Sequence, residues 1–482
     1  TSEDLALLAN PIRATSRMAG YQSTELLGLA LNKVRHVGEP IVAVVATSRY
    51  FAEDALPHIE IELDPLGAIV DVERAAAEGA PLLHDDMSSN VLAERKFLHG
   101  DAEAAFANAA IQVAARFRVR RKTPIAVEAR VCAAEFDRGT RSLTLHSSTQ
   151  VPGIIRDALA EIFEMPGHRL RVIAPEVGGG FGAKASLYPE EIAVAALARE
   201  LRRPVKWTGD RVEDLTSTSQ AFDEIIDAEL ALDGDGHITG LRADVMGDVG
   251  AYSVYPWTAC IEPVQVVSFL PGPYRVPHYV ARTRAVATTK PPGGPYRGVG
   301  RPISTFVMER LLDMASHRLS IDPKEIRMRN LVAEGEFPYR PASGILWDRS
   351  SFTECLTRAC EEIDYVALRA EQATARAAGR WIGIGFASYA ELTGIGSRIA
   401  VAPGMPINTG TETGTVRIDS TGAVTASFGV ASQGQGHETS LAQIVAEELG
   451  ARIEEIEILQ GDSALAAHGT GTYASRGTVL AG

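Results

Sequence analysis

Four glycines around one phenylalanine, Gly178-Gly-Gly-Phe-Gly-Ala-Lys184, follow an apolar segment, Arg171-Val-Ile-Ala174. A loop stripped of side chains lets several backbone N–H groups close on one ligand. Clustered N–H groups form an anion-binding concavity, suited to a phosphate or an oxo group. Three readings compete. A Walker-type phosphate loop needs Gly before Lys-Ser/Thr, but Ala183 precedes Lys184 and Ala185 follows it, so that reading fails. A dinucleotide fingerprint fits Gly178, Gly180 and Ala183 loosely, because Ala185-Ser-Leu-Tyr-Pro189 opens no clean helix. The third reading is a glycine-rich turn with no ligand.

Other polar, glycine-rich turns could share in the chemistry: Thr149-Gln150, Gly293–Arg301, Ser432–His437 and Gly469–Gly477. The amides of Gln150, Gln433 and Gln435 both donate and accept, so they can bond an oxo ligand or a ring edge without adding charge. Taken singly, each is more often a surface or turn residue. Helix starts after Gln150 and Gln435 would add N–H groups and positive dipole ends, which favour phosphate. In Gly293-Gly-Pro-Tyr-Arg-Gly-Val-Gly-Arg301, prolines stiffen a loop that carries two arginines. Arg297 could clamp an anion or polarise a substrate oxygen, with Gly298 admitting a cofactor; the plain alternative is a surface salt bridge.

The elements that must hold these turns are legible in outline. Residues 1–65 read as a small α+β unit, with strands over 40–46 and 59–63 and a helix over 49–56. No sequence before Thr1 could pair with the Val42 strand, so missing N-terminal sequence is expected. A polar connector spans 66–100. A larger unit over 101–330 runs strand (143–150), helix (153–163), strand (169–174), glycine loop, helix (190–201) and strand (204–207). It continues with a hairpin at Asp233–Gly236 and an amphipathic helix over 305–319 bearing Leu311, Leu312 and Ala315. Residues 331–350, rich in Pro, Gly and aromatics, are the expected linker. Over 351–482 a capping box at Ser351–Glu354 starts a helix. Strands follow over 383–388, 415–418 and 424–428, then the Ser432–Gly436 turn, a helix over 438–449 and a strand over 453–459. This echoes the earlier unit, and predicts two pseudo-related halves facing one cleft.

Composition narrows the classes. The chain has 482 residues, enough for two or three domains. A net charge of −14 argues against nucleic acid and anionic membranes. No apolar run approaches the ~20 residues that span a bilayer. Thr1-Ser-Glu-Asp4 lacks a signal-peptide pattern, so a cytoplasmic location is expected. Cys132, Cys260, Cys355 and Cys360 make no CxxC pair and read as buried reduced thiols, and the histidines show no ligand spacing. No protein-ligated metal is expected; a metal would arrive inside an organic cofactor.

Together, Gly178–Lys184, Tyr296-Arg-Gly-Val-Gly-Arg-Pro302, Ser432-Gln-Gly-Gln-Gly-His437 and Gly471-Thr-Tyr-Ala-Ser-Arg476 carry a resemblance across essentially the whole chain. They look like the large subunit of the molybdenum hydroxylases, the xanthine dehydrogenase and aldehyde oxidase family. The local texture is nearest the carbon monoxide dehydrogenase-like branch. The resemblance implies an α+β chain: a small hammerhead domain (1–65, N-terminally incomplete), then two mixed α/β molybdopterin-binding domains, the second C-terminally incomplete. It implies a molybdopterin cofactor with molybdenum, in its cytosine dinucleotide form, and partner subunits carrying iron–sulfur clusters and FAD. Carried over, Gln150 would bond a molybdenum oxo group, with Gly180, Phe181 and Gly182 beside the metal and Arg297 and Gly298 opposite. Gln433, Gly434, Gln435 and His437 would hold pterin and pyrophosphate, and Thr472, Ser475 and Arg476 the dinucleotide.

Three departures refine the implied activity. Gly298 stands where carbon monoxide dehydrogenases carry a copper-bridging cysteine. Ala185 replaces the Glu of purine oxidisers. The family's glutamate base lies beyond residue 482, which implies a fragment or a large subunit split over two polypeptides. The expectation is insertion of water-derived oxygen into an electron-poor carbon of an N-heteroaromatic or an aldehyde. The alternatives are a non-catalytic scaffold of the same fold, a carbon monoxide dehydrogenase-like protein and, last, a nicotinamide dehydrogenase.

Overall fold

Alternation of apolar and polar residues builds the first sheet, as in Ile111–Val119, where Val113 and Phe117 turn inward. Its strands lie in the order Val91–His99, Tyr279–Ala287, Ile238–Gly250, Glu224–Leu232, Ile111–Val119. Only Ile238–Gly250 and Tyr279–Ala287 run parallel. The Asp233–Gly236 turn joins its two strands as the sequence predicts. The helix Arg301–Leu319 buries Leu311, Leu312 and Ala315 in the core beside this sheet. The computed structural model describes residues 1–396, 411–466 and 468–482.

The predicted internal echo is present. In the first half, the antiparallel pair Val131–Asp137 and Ser142–Ser147 leads into the helix Pro152–Ile162 and a strand, Leu170–Ile173, parallel to Ser142–Ser147. In the second, Gly414–Ile418 and Val424–Phe428 lead into the helix His437–Leu449 and the strand Ile456–Leu459, parallel to Val424–Phe428. Each is a hairpin running into a strand–helix–strand crossover, so each turn between strand and helix opens at the carboxyl end of a strand. The two sheets meet edge to edge. Ala174 N–H donates to Gly461 O at 2.6 Å, Gly461 N–H to Val430 O at 2.8 Å, and Arg171 pairs with Asp462. Ala174, Val177 and Ala431 form a small apolar contact beneath the two turns.

Several expectations are corrected. Residues 40–46, 59–63 and 383–388 lie outside any described ladder, although 49–55 is helical as expected. A strand needs a partner for its N–H and C=O groups, and an apolar pattern alone does not supply one. Val45, Ile61 and Leu63 are accordingly exposed. Ser351 precedes the helix Phe352–Glu362 without a side-chain cap bond. Ile345 and Trp347 are buried, Trp347 against Phe269, and Leu356, Cys360 and Tyr365 join the core of the first sheet. Cys132, Cys260 and Cys360 are buried free thiols, whereas Cys355 is exposed.

Candidate functional site

The strand Ser142–Ser147 ends in Ser148-Thr149-Gln150, and Pro152 opens the helix behind it. Proline at a first helical turn forgoes an N–H that has no partner there, which fixes the exit of the turn. Gln150 is thereby held inward, 4% exposed. Its backbone N–H donates to Lys184 O at 2.8 Å, its Oε1 accepts Gly182 N–H at 2.8 Å, and its Nε2 donates to Thr472 O at 2.8 Å. An amide NH₂ carries two hydrogens, so one donor remains beyond these bonds.

The glycine loop is shaped around that amide. A Cβ at Gly180 would stand 2.5 Å from Gln150 Oε1. Phe181 takes φ +53°, a left-handed conformation uncommon for a bulky residue, and its ring is 47% exposed. Strained residues that persist in this way cluster at functional sites. Lys184 is committed elsewhere: its Nζ donates to Glu128 Oε2 at 2.6 Å, and the same oxygen accepts Gly178 N–H at 2.9 Å. Lys184 therefore props the loop and does not face a ligand. Below it, burial pushes the Glu191 carboxyl up to about 7, against the opposing bonds from Ser147 Oγ (2.5 Å) and Tyr188 N–H (2.9 Å).

The Gly293–Arg301 loop docks on this one, Arg297 N–H donating to Phe181 O at 2.9 Å. Gly298 sits at φ +97°, where a Cβ would meet Pro302 Cγ at 2.5 Å, so glycine is required twice over. Arg297 is exposed, while Arg301 is buried in an ion pair with Glu391. The two arginines thus differ: only Arg297 presents its guanidinium outward.

On the facing half, Gln433 and Gln435 brace each other. Gln433 N–H donates to Gln435 Oε1 at 2.6 Å, and Gln435 Nε2 to Gln433 Oε1 at 3.2 Å. Gly434 and Gly436 have open space where a Cβ would lie. The helix His437–Leu449 starts here with its unpaired N–H groups exposed to the turn. His437 is 5% exposed, and its Nδ1 has no hydrogen-bond partner among the described residues. Burial holds its imidazole below the usual pKa, hence neutral near pH 7.

Thr472 joins the halves. It exchanges two bonds with Gln150 (Thr472 N–H to Gln150 O, 2.9 Å), and its Oγ1 accepts Ala431 N–H at 3.0 Å. Gln150, Gly180–Gly182, Arg297 and Thr472 therefore form one connected cluster, with the Gln433–His437 turn attached through Ala431. Ser475 is exposed. Arg476 lies inside the fold. Its side chain is 0% exposed and bonds Glu412, Gly471 O, Ile395 O and Thr411 O. Glu128, Glu412 and the bridging role of Thr472 escaped the sequence reading; their partners lie 50 to 322 residues away, where no local pattern reports them.

Residues 83–331 and 358–482 each match the molybdopterin cofactor-binding domain family. The chain belongs to the molybdopterin cofactor-binding domain family. It is 36% identical over 483 residues to the nicotine 6-hydroxylase large subunit of Paenarthrobacter nicotinovorans, covering 100% of this chain and 59% of that protein. It is 34% identical to the carbon monoxide dehydrogenase large chain of Hydrogenophaga pseudoflava, with 94% of this chain and 58% of that one covered. The crystal structure of quinoline 2-oxidoreductase from Pseudomonas putida 86 superposes with a TM-score of 0.95 at 38% identity, covering 99% of this chain and 60% of that one. The chain thus spans about three fifths of the length of the relatives it matches. The resemblance drawn from the four motifs is borne out, and so is the mixed α/β architecture. No helix among the described residues is long and apolar enough to cross a membrane.

Proposed function

We propose that this chain supplies the cofactor cleft of a hydroxylase that inserts water-derived oxygen into an electron-poor ring carbon of an N-heteroaromatic compound. The observation that carries this reading is the Gln150 amide, fixed by Gly182 and Thr472 with one N–H left over at the junction of the two halves. When bound, a molybdenum–molybdopterin group supplies the oxygen transfer and takes up the electron pair of the C–H bond. The residues present fit such a group. Gln150 would donate its remaining N–H to a metal oxygen, and the side-chain-free Gly180 and Gly182 allow close approach. Arg297 offers an outward guanidinium on the other side. The open Gly434–Gly436 turn, the helix start at His437 and the orphaned His437 Nδ1 suit a phosphorylated pterin tail. Thr472 and Ser475 would flank that tail. A cytosine dinucleotide form, partner iron–sulfur and FAD subunits, a second molybdopterin-binding polypeptide and a cytoplasmic location belong to the same proposal.

The N-heteroaromatic class is favoured over aldehydes because relatives named for nicotine and quinoline align along the whole chain. Carbon monoxide oxidation is disfavoured by Gly298, whose backbone leaves no room for a cysteine side chain. Assay of the intact complex against azaarenes and aldehydes in H₂¹⁸O tests the proposal: label in a hydroxylated azaarene is expected, and activity confined to aldehydes would overturn the substrate class.

A further inference from the structure

We propose that Arg476 and Glu412 are positioning residues for Gln150, acting through the peptide unit Gly471–Thr472, and that Arg476 does not bind the cofactor itself. The inference rests on the cleft assigned above. Arg476 and Glu412 pair at 2.8 Å with side chains 0% and 1% exposed. The same Nη1 that meets Glu412 also donates to Gly471 O at 2.7 Å. Gly471 C=O and Thr472 N–H belong to one planar peptide, so holding the carbonyl fixes the tilt of the N–H. That N–H donates to Gln150 O at 2.9 Å, and Thr472 O accepts Gln150 Nε2 at 2.8 Å. The Gly471–Thr472 plane therefore ties the buried ion pair to the Gln150 backbone, and the adjoining Thr472–Tyr473 peptide carries the carbonyl that holds the side-chain amide facing the cleft.

The anchoring extends further along the chain. Arg476 Nε reaches Ile395 O at 3.2 Å and Nη2 reaches Thr411 O at 3.2 Å. Glu412 itself faces Gly469 across an antiparallel bridge, and its Oε1 accepts Thr413 N–H. Only a planar, multidentate guanidinium can hold a carboxylate and three carbonyls together; an ammonium keeps the charge but loses the fork. Removing one member of a buried pair leaves an uncompensated charge, whereas replacing both with apolar groups of similar volume is tolerated far better.

The test uses the purified holoenzyme complex carrying Arg476→Lys, Glu412→Gln or the double change Glu412→Met/Arg476→Met, the last because it removes the buried charge and survives if the single variants do not fold. Molybdenum and pterin content, kcat and KM are measured for each, alone and with Gln150→Ala. Content and KM are expected to stay within about twofold of wild type. kcat is expected to fall roughly tenfold to hundredfold, the scale on which a displacement of about 1 Å acts. In the Gln150→Ala background the same changes should add nothing further to the kcat loss. Loss of cofactor from Arg476→Lys with wild-type kcat in Glu412→Gln would make Arg476 a direct ligand and overturn the inference. Losses in kcat that multiply with Gln150→Ala would overturn it as well. A wild-type complex without molybdenum or pterin would strike the proposed function, whereas a loaded wild type whose variants keep full turnover would strike this inference alone.

Discussion

Gln150 and Thr472, 322 residues apart, hold each other by two hydrogen bonds, Nε2 to O at 2.8 Å and N–H to O at 2.9 Å. Because Thr472 also takes Ala431 N–H, the strand-to-helix turn of one half is tied to that of the other. A ligand lying across the junction meets both.

The division of labour between the glutamines is testable. Gln150 is buried at the junction, and Gln435 is exposed on the open turn. Gln150→Ala is expected to slow turnover about 10²–10³-fold, as loss of a preorganised donor does, with molybdenum and pterin retained. Gln435→Ala is expected to lower cofactor content with a smaller effect on the kcat of loaded enzyme. Equal cofactor loss in both variants, measured by metal and pterin analysis, would refute the division.

Gly180 and Gln150 should be energetically coupled. A methyl group at 180 would press on Gln150 Oε1, so Gly180→Ala is expected to cost about 1–3 kcal/mol of stability. In the Gln150→Ala background that cost should largely vanish, giving an interaction energy on the order of 1 kcal/mol or more in a double-mutant cycle. Additive penalties in urea unfolding would show that the loop is not shaped around the amide.

A pH dependence resides beneath the Arg297 loop. Burial pushes the Glu262 carboxyl up to about 8, although Phe222 N–H (2.7 Å) and the charge of Arg121 pull it down; Glu224 beside it is also raised. The folded protein therefore binds more protons than the unfolded chain between the ordinary carboxylate range and pH ~8, and stability falls as pH rises through that window. Glu262→Gln keeps an acceptor for Phe222 N–H and removes the titration. The variant should gain on the wild type by a few kcal/mol, order of magnitude, between pH ~5 and ~8.5. Identical pH slopes for the two proteins would contradict the assignment.

Gly298→Cys tests the closed position. The substitution places a side chain at φ +97° against Pro302, so a stability loss of roughly 1–3 kcal/mol and no carbon monoxide oxidation are expected. A stable variant that oxidises carbon monoxide with added copper would show that the loop can open there.

Local features of the site were legible in the sequence because their cause is local. Glycines at 178–180 and 182, a proline behind Gln150 and Gly436 before a helix each dictate backbone shape within a few residues. The repeat of hairpin and crossover was legible for the same reason, since turn chemistry and apolar period recur in both halves. Pairings were not. Nothing near Arg476 announces Glu412, and its Gly-Thr-Tyr-Ala-Ser-Arg setting reads as an exposed turn although the guanidinium is fully buried. Val42 and Ile61 sit in strand-like runs that no described strand joins, because ladder formation depends on a partner and not on the pattern.

The central claim, that separated turns converge to hold one molybdenum–pterin group, is tested most directly by metal and pterin analysis of the purified complex alongside its Gln150→Ala and Gln435→Ala variants. The account predicts about one molybdenum and one pterin per chain in wild type and Gln150→Ala, and a clear deficit in Gln435→Ala. Wild-type complex with neither molybdenum nor pterin would contradict it.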